Sequence, residues 1–211
     1  MKLTKDDIAN AEKVFRLNLI NSITGIKPAN LIGTISNDGL TNLGIFSSVV
    51  HLGSNPAYLG FILRPTGDVP RHTYENIMEN EVYTINSVPT DLVEKAHYTS
   101  GKFSREESEF EHCHIEPEFI DGFKAPFVKA SPIKLGMRFQ EQVPIKLNGT
   151  SMIIGSIEHL IIPDYLVADN GYVNLDEGNV AGISGLNTYY DLKKLDQFPF
   201  VRDNKVPEWL K

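Results

Sequence analysis

Cysteine is nearly absent. One residue, Cys113, stands in 211, so an internal disulfide is excluded and packing must hold the fold, as in a reducing compartment. Long apolar runs are also missing: nothing approaches the roughly 20 consecutive apolar residues that cross a bilayer. Residues 1–16 carry Asp6, Asp7 and Glu12 where a secretory leader would place its apolar core. A cytoplasmic protein with no membrane attachment is therefore expected. Basic residues are outnumbered, 20 against 27 acidic, for a formal charge of −7. A general nucleic-acid or anionic-membrane surface needs clustered cations and is not expected. There is no GxGxxG after a strand pattern, no P-loop, no GxSxG elbow around a serine, no low-complexity run and no internal repeat.

What remains is ordinary globular composition, 41% hydrophobic and 22% charged, enough for one core. A single domain over 1–211 is expected, with an N-terminal helix and a C-terminal tail rich in proline and charge. Ile8, Ala11, Phe15 and Leu19 fall at helical spacing over Thr4–Leu19, with Thr4 and Asp7 placed to cap the start. NLIGTIS (30–36), the Asn37-Asp38-Gly39 turn and LTNLGIFSSVVHL (40–52) have the form of a β-hairpin. AYLGFILRP (57–65) reads as a strand, and His72–Asn80 as a helix with Tyr74, Ile77 and Met78 on one face and Thr73 as its cap. EVYTINSVP returns to strand, and Asp91 and Glu94 have capping-box spacing before a short helix that Gly101 ends. Residues from there to Pro132 read as loop. IKLGMRFQEQVPI and SMIIGSIEHLIIP read as strands joined by a type I′ turn at Asn148-Gly149, and a last strand runs near Val180–Ser184. Six or so strands with hairpin connections and three irregularly placed helices predict a mainly β protein, an antiparallel barrel with peripheral helices.

Three stretches could carry chemistry. RPTGDVPRHT (64–73) sets two arginines, two threonines and a histidine before a helix start, where free N–H groups and the helix dipole favour phosphate; solvated arginines and a plain cap fit equally well. TNLGIFSS (41–48) mixes hydroxyl and amide side chains into an apolar strand, which suits a planar heterocycle or simple half-burial. HYTSGKFSREESEF (97–110) offers Ser100, Lys102 and Arg105 on a glycine-containing loop, alone a weak signal. His112, Cys113 and His114 are adjacent rather than spaced to converge on a metal, and no metal site is expected.

These blocks, together with FRLNLINSITGIKPANLIGTIS, DGFKAPFVKASPIKLG and AGISGLNTYY, resemble the flavin reductase-like proteins that bind FMN in a split β-barrel, in matching order along nearly the whole chain. The resemblance implies that the TNLGIFSS strand lies along the isoalloxazine ring through Asn42, Ser47 and Ser48. It implies ribityl and phosphate contacts from Arg64, Thr66, Arg71, His72 and Thr73, and closure of the next loop over the flavin through Ser100, Lys102 and Arg105. It further implies a homodimer with a flavin at each half of the subunit interface. The expected activity is hydride transfer from NADH or NADPH to FMN, then electron transfer to a small-molecule or protein acceptor, with no acid-base triad required. The alternatives are a non-enzymatic FMN-binding electron-transfer protein or flavin carrier, and a pyridoxamine-phosphate oxidase-like enzyme on the same general barrel, which the blocks fit less well.

Overall fold

In the computed structural model, residues 1–67, 69–199 and 201 are described. The expected N-terminal helix is two, α1 (Lys5–Asn10) and α2 (Lys13–Ser22). Thr4 and Asp7 form a reciprocal capping box at the first, with the Asp7 N–H donating to Thr4 Oγ1 at 3.2 Å and the Thr4 N–H to Asp7 Oδ2 at 2.8 Å. The chain restarts at Glu12 because its carboxylate accepts from the N–H groups of Val14 and Phe15, capping a second helix where the periodicity showed one. Neither helix buries a residue, and Val14, Phe15, Leu17 and Ile20 are exposed.

The strands are β1 (Lys27–Pro28), β2 (Asn30–Ile35), β3 (Thr41–Phe46), β4 (Val50–Ser54), β5 (Ala57–Leu63), β6 (Val82–Ser87), β7 (Pro117–Ile120), β8 (Phe123–Val128), β9 (Lys134–Ile145), β10 (Thr150–Ile161), β11 (Ala181–Ser184) and β12 (Thr188–Asp191). Helix α3 (His72–Asn80) lies between β5 and β6, and α4 (Val93–Tyr98) and α5 (Glu109–His112) between β6 and β7. The expected strand over 40–52 divides at 47–49, and its halves go to opposite edges of a seven-stranded antiparallel sheet ordered β3-β2-β6-β9-β10-β5-β4. That sheet curls around Ile32, Phe61, Ile77, Tyr83, Ile85, Met137 and Ile153, but its edges do not pair with each other. Ser48 Oγ accepts from the Ile62 N–H at 3.0 Å and donates back to the Ile62 carbonyl at 3.3 Å, extending the β4–β5 ladder in register from Val50 opposite Gly60. This is a split barrel, mainly β and antiparallel.

A second core packs the outer face of β2 and β3 (Leu31, Leu43) against α4, α5 and β11 through Ala96, Phe110 and Ile183. The segment read as loop holds α5 and the β7–β8 hairpin. Gly33 lets that hairpin approach: a Cβ there would stand 2.4 Å from the Pro126 carbonyl oxygen. Two turn readings are corrected. Asn148-Gly149 closes a four-residue loop in which the N–H groups of both residues donate to the Ile145 carbonyl; Gly149 alone has positive φ, which a type I′ turn does not allow. Asp91 and Glu94 form no capping box, because Asp91 lies in a 3₁₀ turn (Thr90–Leu92) and Leu92 precedes α4 without a side-chain cap.

Candidate functional site

Helix α3 begins without a side-chain cap. Arg71 is its N-cap, at φ −125° and ψ 77°, and makes no capping hydrogen bond. Thr73, read as the cap, lies one position inside the helix, where its hydroxyl oxygen accepts from Asn42 Nδ2 at 3.0 Å. The same Asn42 amide donates to Thr34 Oγ1 at 3.1 Å, and Asn76 on α3 donates to that oxygen from the other side, also at 3.1 Å. All four residues are buried. β3 thus reaches the first turn of α3 through one amide.

Gly44 follows two residues along the same face of β3. A Cβ there would meet the Phe46 ring at 3.2 Å and Thr73 Oγ1 at 3.6 Å, so the absent side chain keeps the strand surface low where the helix starts. Helix N–H groups, the Arg71 guanidinium and a bare strand surface together suit a phosphate. Arg71 is half-buried and its Nε–H donates to the Pro65 carbonyl at 3.4 Å; His72 beside it is half-buried, while Arg64 and Thr66 are exposed on the turn leading in.

The outer edge of β3 is the second surface. The Leu43 N–H points away from β2, donating to Glu109 Oε2 at 2.9 Å, and alternation along an antiparallel strand turns the Ile45 N–H the same way. Ser47, half-buried, follows where β3 ends. Thr41 and Ser108 hydroxyls share a 2.6 Å hydrogen bond on this edge, so residues 108–109 lie along it. Burial pushes the Glu109 carboxyl above the usual carboxylate range, opposed by its bond from Leu43.

The structure brings Asn42, Arg71, His72 and Thr73 together and sets Ser47 at the strand's end. Ser48 is directed to β5, where it bonds both backbone groups of Ile62. The loop residues are spread: Ser100 donates to the His97 carbonyl, Lys102 is exposed, and Arg105 is engaged by two carboxylates of α3, Glu75 in its first turn at 2.5 Å and Glu79 one turn on at 2.8 Å. Thr34, Gly44, Asn76 and Glu109 were not singled out from the sequence. Thr34 and Gly44 follow from the β2–β3 register, but Glu109 sits in an acidic run that reads as solvated. Among the described residues no His, Cys, Asp and Glu group is arranged for a metal.

Residues 26–176 match a family described as the flavin reductase like domain. The chain belongs to the flavin reductase-like family. A split-barrel-domain protein of Shewanella frigidimarina NCIMB 400, assigned as a flavin reductase, is 43% identical, with a TM-score of 0.91 over 95% of this chain and 100% of that one. Nitrilotriacetate monooxygenase component B of Bacillus cereus shares the fold at 15% identity, with a TM-score of 0.81 over 94% and 98%. An uncharacterised protein of Aquifex aeolicus (strain VF5) is 26% identical over 165 residues, 78% of this chain and 83% of that protein. In this flavin reductase-like chain both candidate surfaces, the α3 start and the β3 edge, lie inside the matched span, whereas α1, α2, β11 and β12 lie outside it.

Proposed function

We propose that the protein is an FMN-binding oxidoreductase that takes reducing equivalents from NADH or NADPH and passes them to a separate acceptor. The observation that carries this reading is the uncapped start of α3, faced by Gly44 and flanked by Arg71, a donor set that fits one phosphate monoester. Bound FMN supplies hydride acceptance and onward electron transfer. The chain's own residues bind and orient. Arg71 and the first N–H groups of α3 hold the phosphate, Asn42 fixes that turn against β3, and the Ile45 N–H with Ser47 faces the ring edge. No group of this site has to move a proton, which agrees with the lack of an acid-base motif in the sequence.

A homodimer completes the proposal. The exposed Val14, Leu17 and Ile20, three residues apart along one side of α2, are the surface offered to a second copy. Cys113 is a buried free thiol, which suits a reducing cytoplasm.

The test is the visible spectrum of the purified protein, identification of the released chromophore, then stopped-flow mixing with each nucleotide. FMN bleached by NADH or NADPH is the expected result. FMN that neither nucleotide bleaches, but that a protein donor reduces, marks an electron-transfer protein or carrier. Failure to bind added FMN overturns the proposal. Sedimentation should give a dimer that Leu17→Glu dissociates.

A further inference from the structure

We infer that Glu109 is a positioning residue for bound flavin: it closes one rung of the β3 edge, so that the ring seats at the next, and stands beside that seat as a negative charge. The inference rests on the FMN reading of the same edge. β3 is the first strand of its sheet, so alternate N–H groups point out of the sheet. The Ser36 N–H, which donates to the Leu40 carbonyl where the β2–β3 hairpin turns, fixes their phase. Counted from that bonded pair, Asn42, Gly44 and Phe46 bond to β2, while Thr41, Leu43 and Ile45 face outward.

Ser108 stands against Thr41 through the shared hydroxyl bond, and Glu109 Oε2 takes the Leu43 N–H at 2.9 Å. The Ile45 N–H has no partner among the described residues. A ring acceptor brought to this edge therefore finds Leu43 closed and Ile45 open. A neutral acceptor would close the Leu43 rung as well, but the residue there is a carboxylate, only 6% exposed. No Lys or Arg among the described residues forms an ion pair with it. Charged groups buried without a cation are costly, so the charge itself calls for a role.

Leu43 and Ile45 are one strand repeat apart, about 7 Å. At that separation and an effective dielectric of about 20, one full charge shifts an equilibrium that adds a second negative charge by roughly tenfold or more. A hydride carries two electrons and one proton, so its arrival adds one negative charge to the ring. Ionised Glu109 opposes that gain and lowers the reduction potential of bound flavin. The charged groups acting on the carboxyl are His112, itself paired with Glu107 at 3.3 Å, and Glu107. Cys113, one turn on, has its thiol pushed up by burial and by Glu109. On α4, Lys95 is engaged by the His114 carbonyl and His97 by the Tyr189 hydroxyl.

Two measurements test this. In ¹H–¹⁵N spectra of the full-length protein with and without FMN, the Ile45 amide should move more than the Leu43 amide. In spectroelectrochemical titrations of the FMN-loaded protein and of Glu109→Gln, both poised at one electrode potential, the variant should hold a reduced-to-oxidised ratio about tenfold higher at about pH 9. The difference should shrink toward about pH 6, where more of the parent carboxyl is protonated, a trend that lost packing alone would not produce. Equal ratios at the higher pH, or a Leu43 amide that moves more than Ile45, overturn the inference and leave the FMN reading standing. A protein that binds no FMN overturns both. The wild-type amide shifts decide the register even where Glu109→Gln fails to fold.

Discussion

Asn42 donates its side-chain amide to the hydroxyl of Thr73 at 3.0 Å, across 31 positions of sequence, and so fastens strand β3 to the first turn of helix α3. The remaining donor of that amide holds Thr34, so neither is left over. Replacing Asn42 by Leu strips two buried hydroxyls of a partner, a loss of about 1–3 kcal/mol. Urea denaturation should show that loss, and FMN affinity by fluorescence titration should fall about tenfold with it. An unchanged FMN affinity in a folded variant would mean the strand–helix tie does not shape the site.

Gly44→Ala separates stability from binding. The new methyl meets a Phe46 ring edge that can shift by a few tenths of an ångström, while the strand gains the residue preference that glycine lacks. Thermal stability should change by about 1 kcal/mol or less. FMN affinity should drop at least tenfold, because the methyl stands beside Thr73 at the helix start. Equal affinities would show that the phosphate does not cross Gly44.

Among the cations, Arg71→Ala should weaken FMN by a few kcal/mol, and Lys102→Ala by much less, since Arg71 is the N-cap of α3 and Lys102 lies on an exposed loop. Arg105→Ala is expected to spare FMN and cost about 1 kcal/mol or less of stability, because its carboxylate partners on α3 are partly solvated. A titration in which Lys102 or Arg105 matters most would relocate the phosphate.

Glu109 gives a pH signature. Burial raises its pKa in the folded protein, while the Leu43 hydrogen bond and the charge of His112 oppose the rise. The folded state therefore holds this proton more tightly than the unfolded chain does. Stability is lost as pH climbs from the ordinary glutamate value through the raised one, and it stays lost above both. Glu109→Gln keeps an acceptor for the Leu43 N–H without the charge. The variant should be more stable than the parent at pH 7, with the advantage shrinking toward the ordinary glutamate range. Denaturant midpoints at several pH values check this; a less stable variant at neutral pH would mean that the ionised bond to Leu43 outweighs burial.

Signals that reside in a few adjacent residues were legible. Helix α3 runs over the His72–Asn80 span expected, because Pro70 bounds its start and its apolar spacing is local. The Asp38-Gly39 turn is present with Gly39 at φ +84°. What failed depends on partners far away in sequence. Thr73 has the chemistry of a cap, yet its oxygen is taken by a residue on another strand. The strand over 40–52 keeps its β character through 47–49, and nothing local shows that the chain there leaves one edge of the sheet for the other. Strand β12 and the β7–β8 hairpin lie in segments broken by proline, glycine and charge, so their pairing was not visible without the sheets they join. Of the candidate site, the α3 start and the β3 strand were readable. The Arg105 ion pairs and the Glu109 bond were not, because charged side chains in a polar run look alike whether free or engaged.

The two outermost strands of the seven-stranded sheet are separated by three residues along the chain and by six ladders through it. The Ser48–Ile62 pair ties that short connection to β5, as the last rung of the β4–β5 ladder before the chain turns into β3. Loosening it would free the end of the β4–β5 ladder before the rest softens. Native-state hydrogen exchange should find the Ile62 amide, held by one side-chain hydroxyl, released ahead of the amides of the central strands β6 and β9, as a zip starts from its last tooth.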